Sequence, residues 1–367
     1  MLPVHFAISE APEHKQPGHV ERPERIAAIQ AALQSSGLLD NLNQVHRTIP
    51  GEIRDAVIDS VHAYRDALLS RGAAAPGPYI GDTLAIADFD DPDGQTFLTS
   101  ASLPLALQAV SLTLSTLSQV VSSSCPGVCF LRPPGHHATT AGPMGYCLFN
   151  NVAAAARYVQ KHLSLPKVMI LDFDVHHGNG TCEIFDTDPS VLVLDVHEES
   201  AVYLEYGSGV DDAGRGEGGG FTINVPLPRG AGHASVLKVW DDIVAPAAER
   251  FRPDLILVSA GFDAHEDDPF QLLCYRTETY GELASRLCAL ATRLCEGRIL
   301  FCLEGGYNTE ALAASVTAVC CALLRRNAVP ESPLLSVKDE GVIDEPAELA
   351  DQVSAVIARV RQIHGLG

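Results

Sequence analysis

The apolar run Lys167-Val168-Met169-Ile170-Leu171 ends in Asp172-Phe173-Asp174-Val175-His176-His177-Gly178-Asn179-Gly180. A short apolar run bounded by polar and glycine residues is the pattern of a strand buried on both faces, and such strands belong in parallel sheets. The polar residues therefore begin where the strand stops. In an extended chain residues i and i+2 share a face, so Asp174 and His176 converge on one point while Asp172 and Val175 face elsewhere. Two acids and two histidines within six residues are costly to bury without a cation or hydrogen bonds to compensate them. A divalent metal meets that need.

The rest of the chain repeats the arrangement. After a first strand over residues 4–8, apolar strand patterns occur at 128–131, 167–171, 191–196, 221–225, 255–259 and 299–303. Helical periodicity covers 23–33, about 101–121, 151–162, 233–250, 280–295 and 309–326, and returns in a last segment over about 345–364. This alternation predicts an α/β fold with a central parallel sheet flanked by helices on both faces, and a ligand site at the carboxyl ends of its strands. Four of those ends carry polar chemistry. They are Arg132-Pro133-Pro134-Gly135-His136-His137, the Asp/His run, Gly261-Phe262-Asp263-Ala264-His265, and Glu304-Gly305-Gly306-Tyr307.

Asp174, His176 and Asp263 are the expected metal ligands, two carboxylates and one imidazole that cancel the charge of Zn2+ or Fe2+ and leave a position open. An open position marks a catalytic site. His136 and His137 supply a general base and an electrostatic or acid partner, with Asp172 holding one ring and Asn179 the other, so the two should differ in pKa. Tyr307, after two glycines, can polarise a carbonyl and stabilise an oxyanion. Together these parts describe metal-assisted amide hydrolysis. Cys147 and Cys182 lie near the motifs without an assigned base, so a covalent route has no candidate.

Bulk properties narrow the setting. At 367 residues with no linker, the chain is expected to form a single domain, and no apolar run reads as long enough to span a bilayer. A net charge of −21 argues against direct nucleic-acid binding and favours cationic partners or substrates. Ten cysteines without a framework read as buried thiols of a reducing compartment, and the N-terminus lacks an export or transit pattern, so a cytoplasmic location is expected. Residues 72–96, rich in Gly, Pro and Asp, read as a long surface loop.

Taken together, these motifs, with His19-Val20-Glu21-Arg22-Pro23-Glu24-Arg25 and Gly145-Tyr146-Cys147-Leu148-Phe149-Asn150-Asn151, resemble the zinc-dependent histone deacetylases and acetylpolyamine amidohydrolases. The resemblance runs over nearly the whole chain and implies the arginase-like fold. Asn179 makes it similar to class II members. The resemblance implies zinc on Asp174, His176 and Asp263, water activation by His136 and His137, and carbonyl polarisation by Tyr307. It also places Arg25 on an internal acetate channel, and a structural K+ at Asp172, Asp174, His176, Asp195 and Val196, with Asp195 where the family has serine. Gly145, Tyr146 and Phe270 fall at substrate-tunnel positions, with Tyr146 where the family usually has phenylalanine and Phe270 where leucine is common, and Tyr203, Leu204, Glu205 or Tyr206 adds the opposite wall.

The expected activity is deacetylation of acetyl-lysine in proteins or peptides, with acetate and free amine as products. An acetylpolyamine or another small acetylated amine is the alternative substrate, and Glu205 with Asp88 to Asp93 would favour it if cationic. A non-catalytic acyl-lysine reader is the remaining alternative; the oligomeric state is left open.

Overall fold

A computed structural model describes residues 3–73, 96–200, 203–325 and 345–367. Its framework is one parallel sheet of eight strands: β1 (Val4–Ile8), β2 (Leu42–Gln44), β3 (Gly127–Phe130), β4 (Val168–Asp172), β5 (Val191–Glu198), β6 (Thr222–Leu227), β7 (Leu255–Ala260) and β8 (Ile299–Leu303). The spatial order is β2-β1-β3-β8-β7-β4-β5-β6. Every pairing is parallel, so all carboxyl ends lie along one edge. The four strands whose ends carry the polar motifs, β3, β8, β7 and β4, are consecutive neighbours in the middle of the sheet. Topology thus gathers what sequence separates.

The helices are α1 (Glu24–Ser35), α2 (Gly51–Ile58), α3 (Arg65–Ala73), α4 (Ser102–Ser123), α5 (Asn151–His162), α6 (Asn179–Phe185), α7 (His233–Val239), α8 (Ala245–Phe251), α9 (Thr277–Cys295), α10 (Thr309–Arg325) and α11 (Ala347–His364). Alternation along each strand sends side chains to two separate cores. Met169 and Leu171 of β4 join residues of α1, α7, α8, α9, α10 and α11, whereas Val168 and Ile170 join residues of α2, α4 and α5. This is the arginase-like α/β architecture expected from the alternating pattern. Asn150 caps α5 by accepting the N–H of Ala153 at 2.9 Å, which fixes where the chain turns after the Gly145–Asn151 motif.

Several expectations need correction. The helix expected over 233–250 is interrupted by a π-helical turn, Trp240–Val244, between α7 and α8. Pro246 lies at the start of α8 and has no N–H to give, so the regular ladder cannot pass through it. Strand β2, with one apolar residue in three, and the short helices α2, α3 and α6 carry too little periodicity to be read from sequence. Residues 72 and 73 of the loop read over 72–96 belong to α3, which runs to Ala73, and residues 74–95 lie outside the described residues. Asp88 to Asp93 lie outside the described residues. Helix α4 is in fact long and apolar enough to cross a membrane by length and composition, contrary to the reading that no run approaches this; it is largely buried against the sheet.

Candidate active site and metal centre

Asp172 is the last residue of β4, and the chain beyond it is held by its neighbours' strand ends. Val175 N–H donates to Asp263 Oδ1 at 3.0 Å, and Gly305 N–H donates to Asp174 Oδ2 at 2.8 Å. The first bond leaves Asp263 Oδ2 open, while Asp174 Oδ1 also accepts the His176 N–H at 2.9 Å, so both carboxylates are held facing one point. There, His176 Nδ1 lies 3.1 Å from Asp174 Oδ1 and 3.2 Å from Asp263 Oδ2. The three ligand-type atoms all fall within 4.8 Å of one another, and Asp263 Oδ2, although buried, accepts no hydrogen bond. A buried carboxylate oxygen without a donor, beside another carboxylate, fits a divalent cation held by two oxygens and a nitrogen. Gly305 is part of this fit. A Cβ there would stand 2.0 Å from Asp263 Oδ2 and 2.7 Å from Asp174 Oδ2.

The histidine pair is set by unlike partners. His136 Nδ1 lies 3.0 Å from Asp172 Oδ2, and His137 Nδ1 lies 2.7 Å from Asn179 Oδ1. An acceptor oxygen at each Nδ1 means that this nitrogen carries the hydrogen, so Nε2 of a neutral ring presents its lone pair. Burial opposes a charge on His136, but the Asp174 and Asp172 carboxylates outweigh it and hold its pKa well above the ordinary value. Burial, reinforced by the neighbouring His136 and His176, holds His137 well below it. The two rings are therefore driven to opposite states. Gly145, at φ +54°, approaches His137 so closely that a Cβ would lie 2.3 Å from its ring.

Tyr307 is positioned from both ends of the chain. Arg25 donates through Nε to Gly306 O and through Nη2 to Glu304 O, both at 2.6 Å, and its guanidinium stands 4.9 Å from the centre of the Tyr307 ring. Asp268 Oδ2 accepts the Tyr307 N–H at 2.8 Å. Burial raises the Tyr307 pKa well above the usual phenol value, with the Asp263 carboxylate adding to it, so the hydroxyl remains a donor.

A cavity of about 460 Å³ opens over these groups, lined by His137, Gly145, Tyr146, His176, Tyr203, Phe270 and Tyr307 among others. Tyr203 stacks flat on His137, with ring centres 5.4 Å apart, and forms one wall. Phe270 meets Tyr307 edge-on at 5.3 Å. Leu204 and Glu205 do not share this cavity. Leu204 is 56% exposed, and both residues line a separate hollow of about 780 Å³ on the far side of Asn179. The reason is the 3-10 turn Leu204–Tyr206, which rotates them away from the direction taken by Tyr203.

Asp195 pairs in register with Asp172 on the neighbouring strand. Its carboxylate takes His197 Nδ1 at 2.6 Å and Gly178 N–H at 2.8 Å, with His177 Nδ1 at 3.3 Å. Val196 beside it is buried in the core.

Sequence reasoning passed over three acids. Glu304 Oε2 accepts the N–H groups of Gly135 and His136 at 2.7 and 3.2 Å, so it fixes the backbone that presents the histidine pair. Glu21 bridges Arg25 and Arg132 deep in the fold, and Asp268 holds the Tyr307 turn. Glu21 and Glu304 lie inside quoted motifs, which was the available signal. Asp268 had none beyond its neighbourhood to Phe270.

Comparison with known proteins agrees with this geometry. The histone deacetylase domain model matches residues 19–323. The chain is 36% identical to histone deacetylase 14, chloroplastic, of Arabidopsis thaliana, over 98% of this chain and 84% of that protein. It is 32% identical to a probable deacetylase of Archaeoglobus fulgidus, over 81% of this chain and 79% of that one. Among solved structures, the HDA15 HD domain superposes with a TM-score of 0.79 at 28% identity, covering 99% of this chain and 95% of that chain. With a family model spanning most of its length and relatives matched nearly end to end, the chain belongs to the histone deacetylase family.

Proposed function

We propose that this protein, acting as a single catalytic domain over residues 1–367, is a zinc-dependent deacetylase that hydrolyses the amide of acetylated amines, acetyl-lysine of proteins or peptides in particular. The observation that carries the reading is the meeting of Asp174, His176 and Asp263 with Tyr307 and the His136–His137 pair around one cavity. Asp174, His176 and Asp263 would hold Zn2+, which would supply Lewis acidity toward water and toward the acyl oxygen. His137, neutral and with Nδ1 engaged by Asn179, takes a proton at Nε2. His136, hydrogen-bonded through Nδ1 to Asp172, is placed to stabilise negative charge as it develops. Tyr307 donates its hydroxyl to the acyl oxygen, and Arg25 keeps the turn that carries it in place. The proton then passes to the departing amine, giving amine and acetate.

Two buried carboxylates, Asp172 and Asp195, face each other across Gly178, where a Cβ would lie 2.4 Å from one and 3.0 Å from the other. That concentration of charge supports a structural K+ held with backbone oxygens of Asp174, His176 and Val196. Arg25 supports the reading of an acetate path beneath Tyr307. The aromatic walls Tyr146, Tyr203 and Phe270 suit the methylene chain of a lysine or of a small acetylated amine equally well. A reducing compartment such as the cytoplasm suits ten free cysteines among the described residues, and the negative charge opposes direct nucleic-acid contact.

The test is turnover of an acetyl-lysine peptide and of acetylated polyamines by metal-stripped enzyme, with and without added zinc. Zinc-restored release of acetate is the expected result. A tightly bound stoichiometric metal with no turnover of any acetylated amine would instead favour the acyl-lysine reader.

A further inference from the structure

At the mouth of the catalytic cavity two neighbouring strand ends bring opposite charges together without pairing them. Glu198 is the last residue of β5 and lies in register with Leu227, the last of β6; Arg229 follows two residues later. The bond from Glu199 N–H to Leu227 O at 2.8 Å keeps these ends side by side. Both side chains line the cavity that contains His137, His176 and Tyr307. The Glu198 residue is 9% exposed, its carboxylate opens to the cavity, and it makes no hydrogen bond or ion pair to another described residue. Arg229 is exposed and uses one terminal nitrogen on Gln271 O at 3.1 Å, leaving its other donors to the cavity.

A carboxylate that lines the cavity wall without a protein partner is free to take a cationic group of a ligand. A guanidinium lining the same cavity makes a purely cationic ligand a poor answer, because that ligand would also face its positive charge. A ligand with one group of each sign answers both. We infer that Glu198 and Arg229 form a subsite that reads the zwitterionic end of a small substrate, a free α-amino acid whose side-chain amine carries the acyl group. This rests on the deacetylase reading above. Glu198 takes the α-ammonium, Arg229 the α-carboxylate, and the acetamide lies toward Tyr307; the same residue inside a peptide offers neither charge.

The experiment compares kcat/KM of the zinc-loaded enzyme on four compounds: Nε-acetyl-lysine, its Nα-acyl derivative, its carboxamide, and the doubly blocked form. Charge-assisted contacts of this kind are worth about tenfold each, so the zwitterion should lead the singly blocked forms by about that factor, chiefly through KM. In Glu198→Gln the advantage over the Nα-acyl form should collapse while that over the carboxamide remains. Arg229→Gln should do the reverse. Equal turnover of all four compounds, or loss of both advantages in either variant, overturns the subsite while leaving the deacetylase intact. Turnover of none overturns the deacetylase reading and the subsite with it.

Discussion

His176 and His177 are adjacent, and each sits in a cluster of metal-ligand side chains: Asp174, His176 and Asp263 on one side, His177, Cys182 and Asp195 on the other. Composition does not separate them; accounting for the donors does. In the first cluster Asp263 Oδ2 lacks any donor, and His176 reaches a cavity. In the second, all three residues are buried and the Asp195 oxygens are filled by His197 and Gly178. Asp263 thus keeps a buried oxygen open to a cation, whereas both Asp195 oxygens are engaged by N–H groups. The bend that follows β4 at residues 174–176 turns neighbouring histidines to different clusters.

The sharpest way to break this contrast is to remove one carboxylate from each cluster. Asp263→Ala should lose stoichiometric zinc and essentially all turnover; retained metal, measured by elemental analysis after dialysis, would remove Asp263 from the ligand set. Tyr307→Phe, which leaves the ligands intact, should keep its metal and lose about 10²–10³ in kcat; an unchanged rate would end its oxyanion role. Asp195→Ala should keep zinc at pH 7 but lose about 3–5 kcal/mol of stability, since His177 and His197 lose their buried partner. Metal loss in that variant without destabilisation would erase the distinction between the clusters.

A smaller effect comes from histidines outside both clusters. Burial lowers His14 to about 3, against the pull of Glu21, and lowers His62 to about 4, although its bond to Thr139 O opposes the shift. Both stay neutral in the folded protein while their unfolded counterparts protonate near pH 6.5. The unfolded chain thus binds more protons between pH 6.5 and about 4, and stability falls as pH falls through that window. The slope is about 1.4 kcal/mol per pH unit for each group. Glu21 adds the same sign below its unfolded value. Burial would raise its pKa, but Arg132 and Arg25 hold it at about 2. Urea midpoints should decline across this range, less steeply in His62→Gln; parallel slopes would exclude His62. Leu204→Ala, on the hollow beyond Asn179, should change kcat/KM least of all, and a large loss would return that residue to the tunnel.

The sheet and its ligand edge were legible because long apolar runs alternate with amphipathic helices, and because four polar motifs each follow such a run. Asp174, His176 and Asp263 could be grouped from strand-end logic alone. Leu204 and Glu205 could not be placed, since a single 3-10 turn decides which way each side chain leaves the backbone. Asp268 and Glu198 were silent for another reason. Their importance lies in what they touch or leave untouched, which is a property of the assembled fold. The π-helical turn before Pro246 belongs to the same class, because a proline near a helix start is ordinarily tolerated.

Strand β8 lies between β3 and β7, although it is the last strand of the sheet to be made. Without it, the strand order of the sheet falls into β2-β1-β3 and β7-β4-β5-β6, which share no hydrogen-bonded neighbour. Synthesis from the N-terminus therefore yields no working enzyme by degrees. The histidine pair waits in one half and the ligands in the other, and a single late insertion seals the seam, brings Tyr307 to the cavity and seats Arg25 on the turn that precedes it. A nascent or cleaved product that stops short of this strand would be inert toward acetylated amines and, with two exposed β-edges, prone to aggregate.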